Sequence, residues 1–278
     1  MKNIFTIDTE DWFHANYEDD LFTNNSDVRS TVEENTEVYL RVLAENSATA
    51  TFFVLGFVAE QHPNLVRRIA DAGHEIASHG YGHQLIYKQT PEEFREDILR
   101  GKKLLEDITG KPVLGYRAPS WSITEQSFWA LEILEEEGFR YDSSIFPFKN
   151  FLYGVAGAPR FPYAAKRYAS GANNLIEIPP STVHIGMNIP FSGGFYFRAV
   201  PYPFIQAFSK QVNREGHPVV FYLHPREIDP EQPRLKLNAR DALIHYFGIR
   251  GCEKKLRRAL RSFSCCSIRE FLRLKQTQ

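Results

Sequence analysis

Cysteine is scarce in this 278-residue sequence, and the three that occur are Cys252, Cys265 and Cys266. An odd number with an adjacent pair predicts no disulfide framework, no C-x-x-C pair is present, and the usage fits a reducing compartment. The sequence also lacks any apolar run near the roughly 18 residues that a membrane-spanning helix needs. Its N-terminus lacks an apolar leader with a small-residue cleavage site. We therefore expect a cytoplasmic protein with no transmembrane segment.

The sequence also has no excess of charge of one sign. It contains 33 lysines and arginines and 34 aspartates and glutamates, which gives a formal net charge of −1. This balance gives no support for nucleic acid or an anionic membrane as the main partner. Aromatic residues, by contrast, are abundant at 14%, with 22 phenylalanines and 13 tyrosines. They predict either an aromatic core or a cleft lined with rings that stack on sugars. The basic segment around 254–261 predicts an outer helix with a solvated face, or else a helix at a membrane surface.

Short β-branched and aromatic runs alternate with amphipathic helical patterns about seven times along the chain. Ile4 to Ile7 and Glu75 to Ser78 are typical predicted strands, and Val32 to Glu45 is a typical predicted helix. This alternation indicates a parallel α/β barrel or an open α/β sheet. From Phe146 to Asn174 the chain is rich in proline, glycine and aromatics, which predicts a long irregular excursion.

Reactive residue types follow the predicted strands, where each strand ends. They are Asp8, Glu10 and Asp11 after the first strand, His79 and His83 after the third, and Arg117, Asp142 and His224 after later strands. In a closed parallel barrel these strand ends converge on one mouth, where a site is expected. Five independent clusters of this kind favour an active site over a set of unrelated surface residues.

His79 and His83 are separated by a segment that contains Gly80 and Gly82. If the segment coils as one helical turn, the two imidazoles share a face and can bind one metal ion with a carboxylate from elsewhere. Two surface histidines in a loop are the alternative. The acidic cluster at 8–11 has a similar ambiguity, because its carboxylates repel one another: it is either a solvated turn or it lies beside a cation or an arginine.

Together these residues resemble the motifs of the NodB-homology polysaccharide deacetylases, carbohydrate esterase family 4. The matching motifs are Asp8-x-Glu10-Asp11, His79-x-x-x-His83, Arg117-x-Pro119, Asp142-Ser143-Ser144 and Leu223-His224-Pro225. Within the family the chain is most similar to a branch with Helicobacter-type peptidoglycan deacetylases and allantoinase-like proteins, and residues 186–240 are similar to deacetylases of exopolysaccharide loci. The resemblance implies a distorted (β/α)7 barrel as a single α/β domain. We expect the barrel at 1–226 and a helical extension packed on it at 227–278.

The resemblance also implies roles for these residues. Asp8 would be the base beside Arg117, and His224 the acid, oriented and charged by Asp142. A divalent ion, zinc by default with manganese, cobalt or nickel also fitting, would be held by His79, His83 and a carboxylate. Most members have two adjacent aspartates in the first motif, and the spacing here suggests Glu10 as the ligand, with Asp11 as the alternative. The third motif departs as well, with Ser120-Trp121 where many members have Tyr-Gly.

The candidate substrate-binding residues are Trp12, Tyr116, Pro119, Ser120, Trp121, Phe195 and Arg198. The aromatic members could stack on sugar rings or pack in the core, and a backbone N–H near Ser120 could hold an oxyanion. The leading hypothesis is a metal-dependent N-deacetylase that acts on N-acetylhexosamine in a glycan, or in a lipid- or nucleotide-linked precursor, and releases acetate. A metal-free, allantoinase-like amidohydrolase and an inactive glycan-binding protein are the alternatives.

Overall fold

The computed structural model describes residues 1–16, 29–150 and 152–274. The strands are β1 (Asn3–Thr9), β2 (Thr51–Val54), β3 (Glu75–Ser78), β4 (Gly115–Tyr116), β5 (Tyr141–Asp142), β6 (Tyr163–Ala164), β7 (Ile176–Glu177), β8 (Thr182–Ile185), β9 (Met187–Pro190), β10 (Val220–Leu223) and β11 (Cys265–Cys266). The helices are α1 (Val32–Glu45), α2 (Gly56–Gln61), α3 (Pro63–Asp71), α4 (Pro91–Thr109), α5 (Trp129–Glu136), α6 (Gly194–Ala199), α7 (Tyr202–Arg214), α8 (Ala239–Tyr246), α9 (Ile249–Ser262) and α10 (Ile268–Leu272). Short 3-10 helices cover Trp12–His14, Ile86–Lys88, Pro119–Trp121, Ala165–Arg167 and Pro225–Ile228.

A curled parallel sheet organises the molecule, in the strand order β10-β1-β2-β3-β4-β5-β7-β6. β6 joins antiparallel to β7, and β11 pairs with the start of β1. Beyond β10, Ser181 and Ser192 bind the free edge: Ser181 Oγ accepts from Val220 N at 2.9 Å, and Ser192 O accepts from Tyr222 N at 3.2 Å. The curled sheet with helices on its outer face confirms the predicted distorted barrel.

The outer helices bury their apolar faces against the sheet, as their residue patterns dictate. In α4 the buried positions Phe94, Ile98 and Leu105 lie on one side, and a capping box at Thr90 begins the helix. Helix α9 buries Cys252 and Leu256 in the same core while Lys254 and Arg258 face solvent, so it packs as an outer helix. The described part of the chain contains no helix with the length and apolarity needed to cross a membrane.

The structure corrects one local prediction and contains elements that the sequence pattern did not indicate. His79 to His83 is an irregular loop, since Gly80 (φ +74°) and His83 (φ +55°) both have left-handed backbone conformations. The aromatic segment that precedes α7 forms the short helix α6, and the excursion before it is followed by a β8–β9 hairpin that the sequence pattern did not indicate. The predicted division at 226 stays a prediction.

Candidate active site

Asp8 and Arg117 form a buried ion pair at the ends of β1 and β4. Arg117 Nη1 donates to Asp8 Oδ1 at 2.6 Å, and both side chains are almost fully buried. The guanidinium also donates to Thr6 Oγ1 and to Ser143 Oγ, each at 2.8 Å, and it lies 4.1 Å from the centre of the Phe53 ring. These contacts satisfy most of its donors, so Arg117 fixes the orientation of the Asp8 carboxylate.

Glu10, His79 and His83 bring two imidazoles and a carboxylate together at the same mouth. Glu10 Oε2 lies 2.6 Å from His83 Nε2 and 3.7 Å from His79 Nε2, and all three residues are buried. His79 Nδ1 lies 2.8 Å from the backbone oxygen of Arg117, which fixes the tautomer with Nε2 free of a proton. Burial opposes ionisation of Glu10, but the neighbouring histidines, His83 first, hold its pKa well below its usual range. This donor set fits a divalent ion such as zinc.

The loop that carries both histidines is held in place by α4 and α2. Asp97 on α4 accepts from Tyr81 N at 2.8 Å and from Gly82 N at 2.9 Å. Gly80 O accepts from Gly56 N, at the start of α2, at 2.8 Å. A Cβ added at Gly80 would lie 2.6 Å from the Asp97 carboxylate, so glycine is required there for space as well as for its positive φ.

His224 follows β10 and lies across the mouth from Glu10, with its Nε2 atom 3.7 Å from Asp8 Oδ2. Its Nδ1 atom lies 3.3 Å from Glu227 Oε2, and Glu227 Oε1 accepts from Arg198 Nε at 2.9 Å. Burial works against the charged imidazole, but Glu227, together with Glu10 and Asp8, outweighs burial and raises the pKa of His224. Burial also opposes ionisation of Glu227, and His224 with Arg198 still lowers its pKa to about 2.

The prediction that Asp142 orients His224 is therefore wrong, because Glu227 occupies that position. Asp142 instead accepts a hydrogen bond from Ser144 Oγ, and Ser144 Oγ accepts from Ala118 N at 2.8 Å. Asp142 thus supports the loop that begins with Arg117. Pairing of β5 with β7 places Asp142 directly beside Glu177, and both are fully buried. Burial raises the pKa of Asp142 to about 6 and the pKa of Glu177 well above its usual range.

Asp11, the alternative metal ligand, has another use in the structure. Its carboxylate accepts from Trp12 N at 3.0 Å and from Thr31 N at 3.1 Å, so it caps the following 3-10 helix and fixes the start of α1. Its backbone N–H donates to His14 Nδ1 at 2.8 Å. Burial, and to a smaller extent the charge of the neighbouring His83, lowers the pKa of His14 to about 3. Of the two carboxylates, Glu10 is the one that lies with the histidines.

A cavity of about 520 Å³ opens over these residues. Four of the candidate substrate-binding residues line it, namely Ser120, Trp121, Phe195 and Arg198. Ser120 (φ +51°) and Trp121 (φ +49°) are consecutive left-handed residues, a conformation that is uncommon for non-glycine residues. The cavity also has lining residues that sequence analysis missed: Phe148, Tyr153, Tyr196, Tyr222, Arg226 and Ile244.

Three of the predicted substrate-binding residues lie outside this cavity. Tyr116 is fully buried against Phe94 and Phe139. Trp12 is 5% exposed, and its indole N–H donates to Arg29 O at 3.1 Å. Pro119 is buried at the start of its 3-10 helix. Successive side chains along a strand point to opposite faces of the sheet. An aromatic residue that is adjacent in sequence to a candidate catalytic residue can therefore point into the core and not into the cavity.

Some of the missed residues carried a signal in the sequence. Glu227 lies three residues after His224, and Pro225 lies between them. This is the spacing of a capping box, in which the first and fourth residues bond to each other's backbone at the start of a helix. Glu177 lies within the apolar run Leu175 to Ile178, where a charge needs a buried partner. For Phe148 and Tyr153, in the irregular excursion, no local pattern distinguishes a lining residue from a surface one.

The curled parallel sheet and the Glu-His-His cluster flanked by Asp8 and His224 agree with the resemblance to the NodB-homology deacetylases. Comparison with known families is in agreement. Residues 19–141 match the family model described as polysaccharide deacetylase, and residues 143–273 match a domain of unknown function, DUF3473. The chain thus carries a polysaccharide deacetylase domain of carbohydrate esterase family 4 joined to a DUF3473 region, and the resemblance seen in its motifs is confirmed.

Two curated relatives are similar over part of the chain. The peptidoglycan deacetylase of Helicobacter pylori is 35% identical over 106 residues, which are 38% of this chain and 35% of the relative. A peptidoglycan-N-acetylglucosamine deacetylase of Bacillus cereus is 33% identical over 122 residues, 40% of this chain and 44% of the relative. The chain therefore spans less than half the length of either relative.

One solved structure is similar over the whole chain. It comes from Mycobacterium smegmatis and is assigned to the polysaccharide deacetylases, with a TM-score of 0.63 and 22% identity over 100% of this chain and 94% of that one. At this identity the likeness concerns the fold. Asp8 and Glu10 precede the matched range 19–141, and His224 lies in the DUF3473 region, so the site is assembled from parts inside and outside the deacetylase match.

Proposed function

We propose that this protein is a metal-dependent N-deacetylase that removes acetate from N-acetylhexosamine units of a glycan or a glycan precursor. One observation carries the proposal: a buried carboxylate, Asp8, and an imidazole, His224, lie on either side of the Glu10–His79–His83 cluster in one cavity. Amide hydrolysis needs one group that accepts a proton from water and another that delivers a proton to the departing nitrogen. Peptidoglycan or an exopolysaccharide is the proposed source of the substrate, since the curated relatives are named as peptidoglycan deacetylases.

Glu10, His79 and His83 would hold the ion, most simply zinc, with manganese, cobalt and nickel also compatible with the donors. When bound, such an ion supplies a water nucleophile at neutral pH and polarises the acetyl carbonyl. The convergence of both histidines with Glu10 favours this reaction over the metal-free, allantoinase-like alternative. An inactive glycan-binding protein would have no use for the buried Asp8–Arg117 pair.

The protein's own groups would then move the protons. Asp8 keeps Oδ1 on Arg117, which leaves Oδ2 to accept the proton of the attacking water. His224 would deliver the proton on Nε2 to the amine as the C–N bond breaks, while Glu227 stabilises the positive imidazolium through Nδ1. Ser120, held in its left-handed conformation, would offer its backbone N–H to the carbonyl oxygen. Trp121 and Phe195 would contact the sugar.

The test is acetate release from a panel of N-acetylated oligosaccharides with the zinc-loaded protein, before and after treatment with a chelator. We expect release that stops on chelation and returns with added zinc. Asp8→Asn should lose the activity but keep its metal content by elemental analysis, because Asp8 is not in the donor set. Release that is insensitive to chelation would favour the metal-free reaction, and no release from any substrate would contradict the proposed function.

A further inference from the structure

Arg226 lines the cavity of the candidate active site and lies in the 3-10 helix Pro225–Ile228, which also carries Glu227. Among the residues that the structure describes, none places a carboxylate oxygen within 4.0 Å of its guanidinium, and its buried Nε atom has no hydrogen-bond acceptor. A guanidinium is always charged and carries donors in a planar fork. Arg226 therefore presents donors and a positive charge that the surrounding described residues leave unused.

A neutral histidine holds this arginine in position. Gln232 Nε2 donates to the backbone oxygens of Arg226 (2.7 Å) and Asp229 (2.9 Å), which turns its Oε1 atom toward His245 Nε2 at 2.9 Å. His245 Nε2 must therefore carry the proton, and Nδ1 is the acceptor that lies 3.4 Å from Arg226 Nη1. Burial, with the nearby Arg226 and Arg198, lowers the pKa of His245 to about 2, so this partner orients Arg226 without neutralising it.

The other described charges around the cavity occur mostly in opposite pairs. These pairs are Asp8 with Arg117, Glu227 with Arg198, and Asp241 with Arg240. Glu10 remains, and it lies with the two histidines. Glu227 is next to Arg226 in the chain, but its carboxylate is paired with Arg198 and His224. Arg226 is therefore the charged residue in this set without a direct ion pair among the described residues, and it lines the space in which a substrate would lie.

Resting on the proposed function, we infer that Arg226 is the centre of an anion subsite, and that the substrate carries a carboxylate or phosphate beside the hydrolysed N-acetylhexosamine. Both groups accept paired hydrogen bonds from a guanidinium fork. A uronic acid in a polymer would supply the carboxylate, and a nucleotide- or lipid-linked sugar would supply the phosphate. A neutral homopolymer of N-acetylglucosamine would leave this part of the cavity unused.

The experiment measures equilibrium binding to the zinc-loaded, full-length Asp8→Asn protein, so that turnover does not affect the result. The ligands are a neutral chitooligosaccharide, an oligosaccharide of the same length with one uronate neighbour, and uridine diphosphate N-acetylglucosamine. We expect at least one anionic ligand to bind more tightly than the neutral one by roughly tenfold, the size of one hydrogen bond to a charged group. The anion that gains affinity identifies the source of the charge.

Adding Arg226→Gln to the Asp8→Asn protein should abolish the preference for the anionic ligand and leave the Kd of the neutral ligand unchanged. Arg226→Lys should keep part of this preference. Arg234→Gln is the matched control, because Arg234 is exposed, lies outside the cavity and undergoes the same loss of charge. Equal affinity for neutral and anionic ligands, or an equal loss for both on Arg226→Gln, would overturn the inference. Failure of the proposed function would appear separately, as absence of acetate release by the Asp8-containing enzyme.

Discussion

The two parts of the chain that match different family models contribute different things to one site. The part within 19–141, with residues 3–10 before it, supplies Asp8, Arg117 and the three candidate metal ligands, all held by parallel strands and short loops. The part within 143–273 supplies His224, its partner Glu227 and most of the cavity wall. In the proposed function the first part would bind the metal ion and activate the water, and the second part would deliver a proton and contact the substrate, so substitutions in the two should have different consequences.

The largest effect is expected in the first part, at the metal ligands. His83→Ala should reduce bound zinc, measured by elemental analysis, and lower acetate release by more than about 100-fold, since even groups that only support metal ligands contribute that much. His184→Ala is the control, because that histidine is exposed on the β8–β9 hairpin, outside the cavity, and its side chain bonds with Asn188. Full activity of His83→Ala without metal would show that the two parts do not divide the work in this way.

A smaller, purely kinetic effect is expected in the second part. Glu227→Gln removes the carboxylate beside His224 Nδ1, and kcat should fall by about 100-fold, the lower range for a positioned proton donor. KM and zinc content should change little, because Glu227 contacts neither the cluster nor the cavity. Glu227→Asp should recover part of kcat, and Glu231→Gln, an exposed neighbour, should have no effect. Loss of zinc together with activity would mean that Glu227 supports the fold instead.

The smallest expected effect concerns the boundary between the two parts, where Asp142 lies beside Glu177. Burial raises the pKa of both, so the native state holds protons that the unfolded chain releases above about pH 4. Stability should therefore fall as the pH rises from about 4 to 6 and beyond, because the native state binds more protons than the unfolded state. Glu177→Gln should reduce this fall by on the order of 1–3 kcal/mol in urea unfolding. A pH-independent difference between wild type and variant would contradict it.

Sequence reasoning succeeded where local rules apply. The amphipathic pattern predicted the boundaries of α1, and the apolar pattern predicted those of β3. The positions of Asp8, His79, Arg117 and His224 at strand ends predicted that these residues lie together at one end of the sheet. It failed for Tyr116 and for the partner of His224. Which side of a short strand faces the core, and which of several carboxylates approaches an imidazole, depends on packing between distant segments that no local pattern encodes.

The strand β1 pairs with β2, which follows it closely in the sequence, and also with strands from the far end of the sequence. β1 pairs with β10 and β11, and the hydrogen bond from Thr6 to Phe221 O links residues 215 positions apart. A contact of that sequence separation closes late and slowly. During synthesis, Asp8 and Glu10 leave the ribosome long before His224, so β1 can pair with β10 and β11 only after the intervening chain has followed. The order of translation therefore delays the assembly of the proposed active site until the strand that precedes His224 has been made.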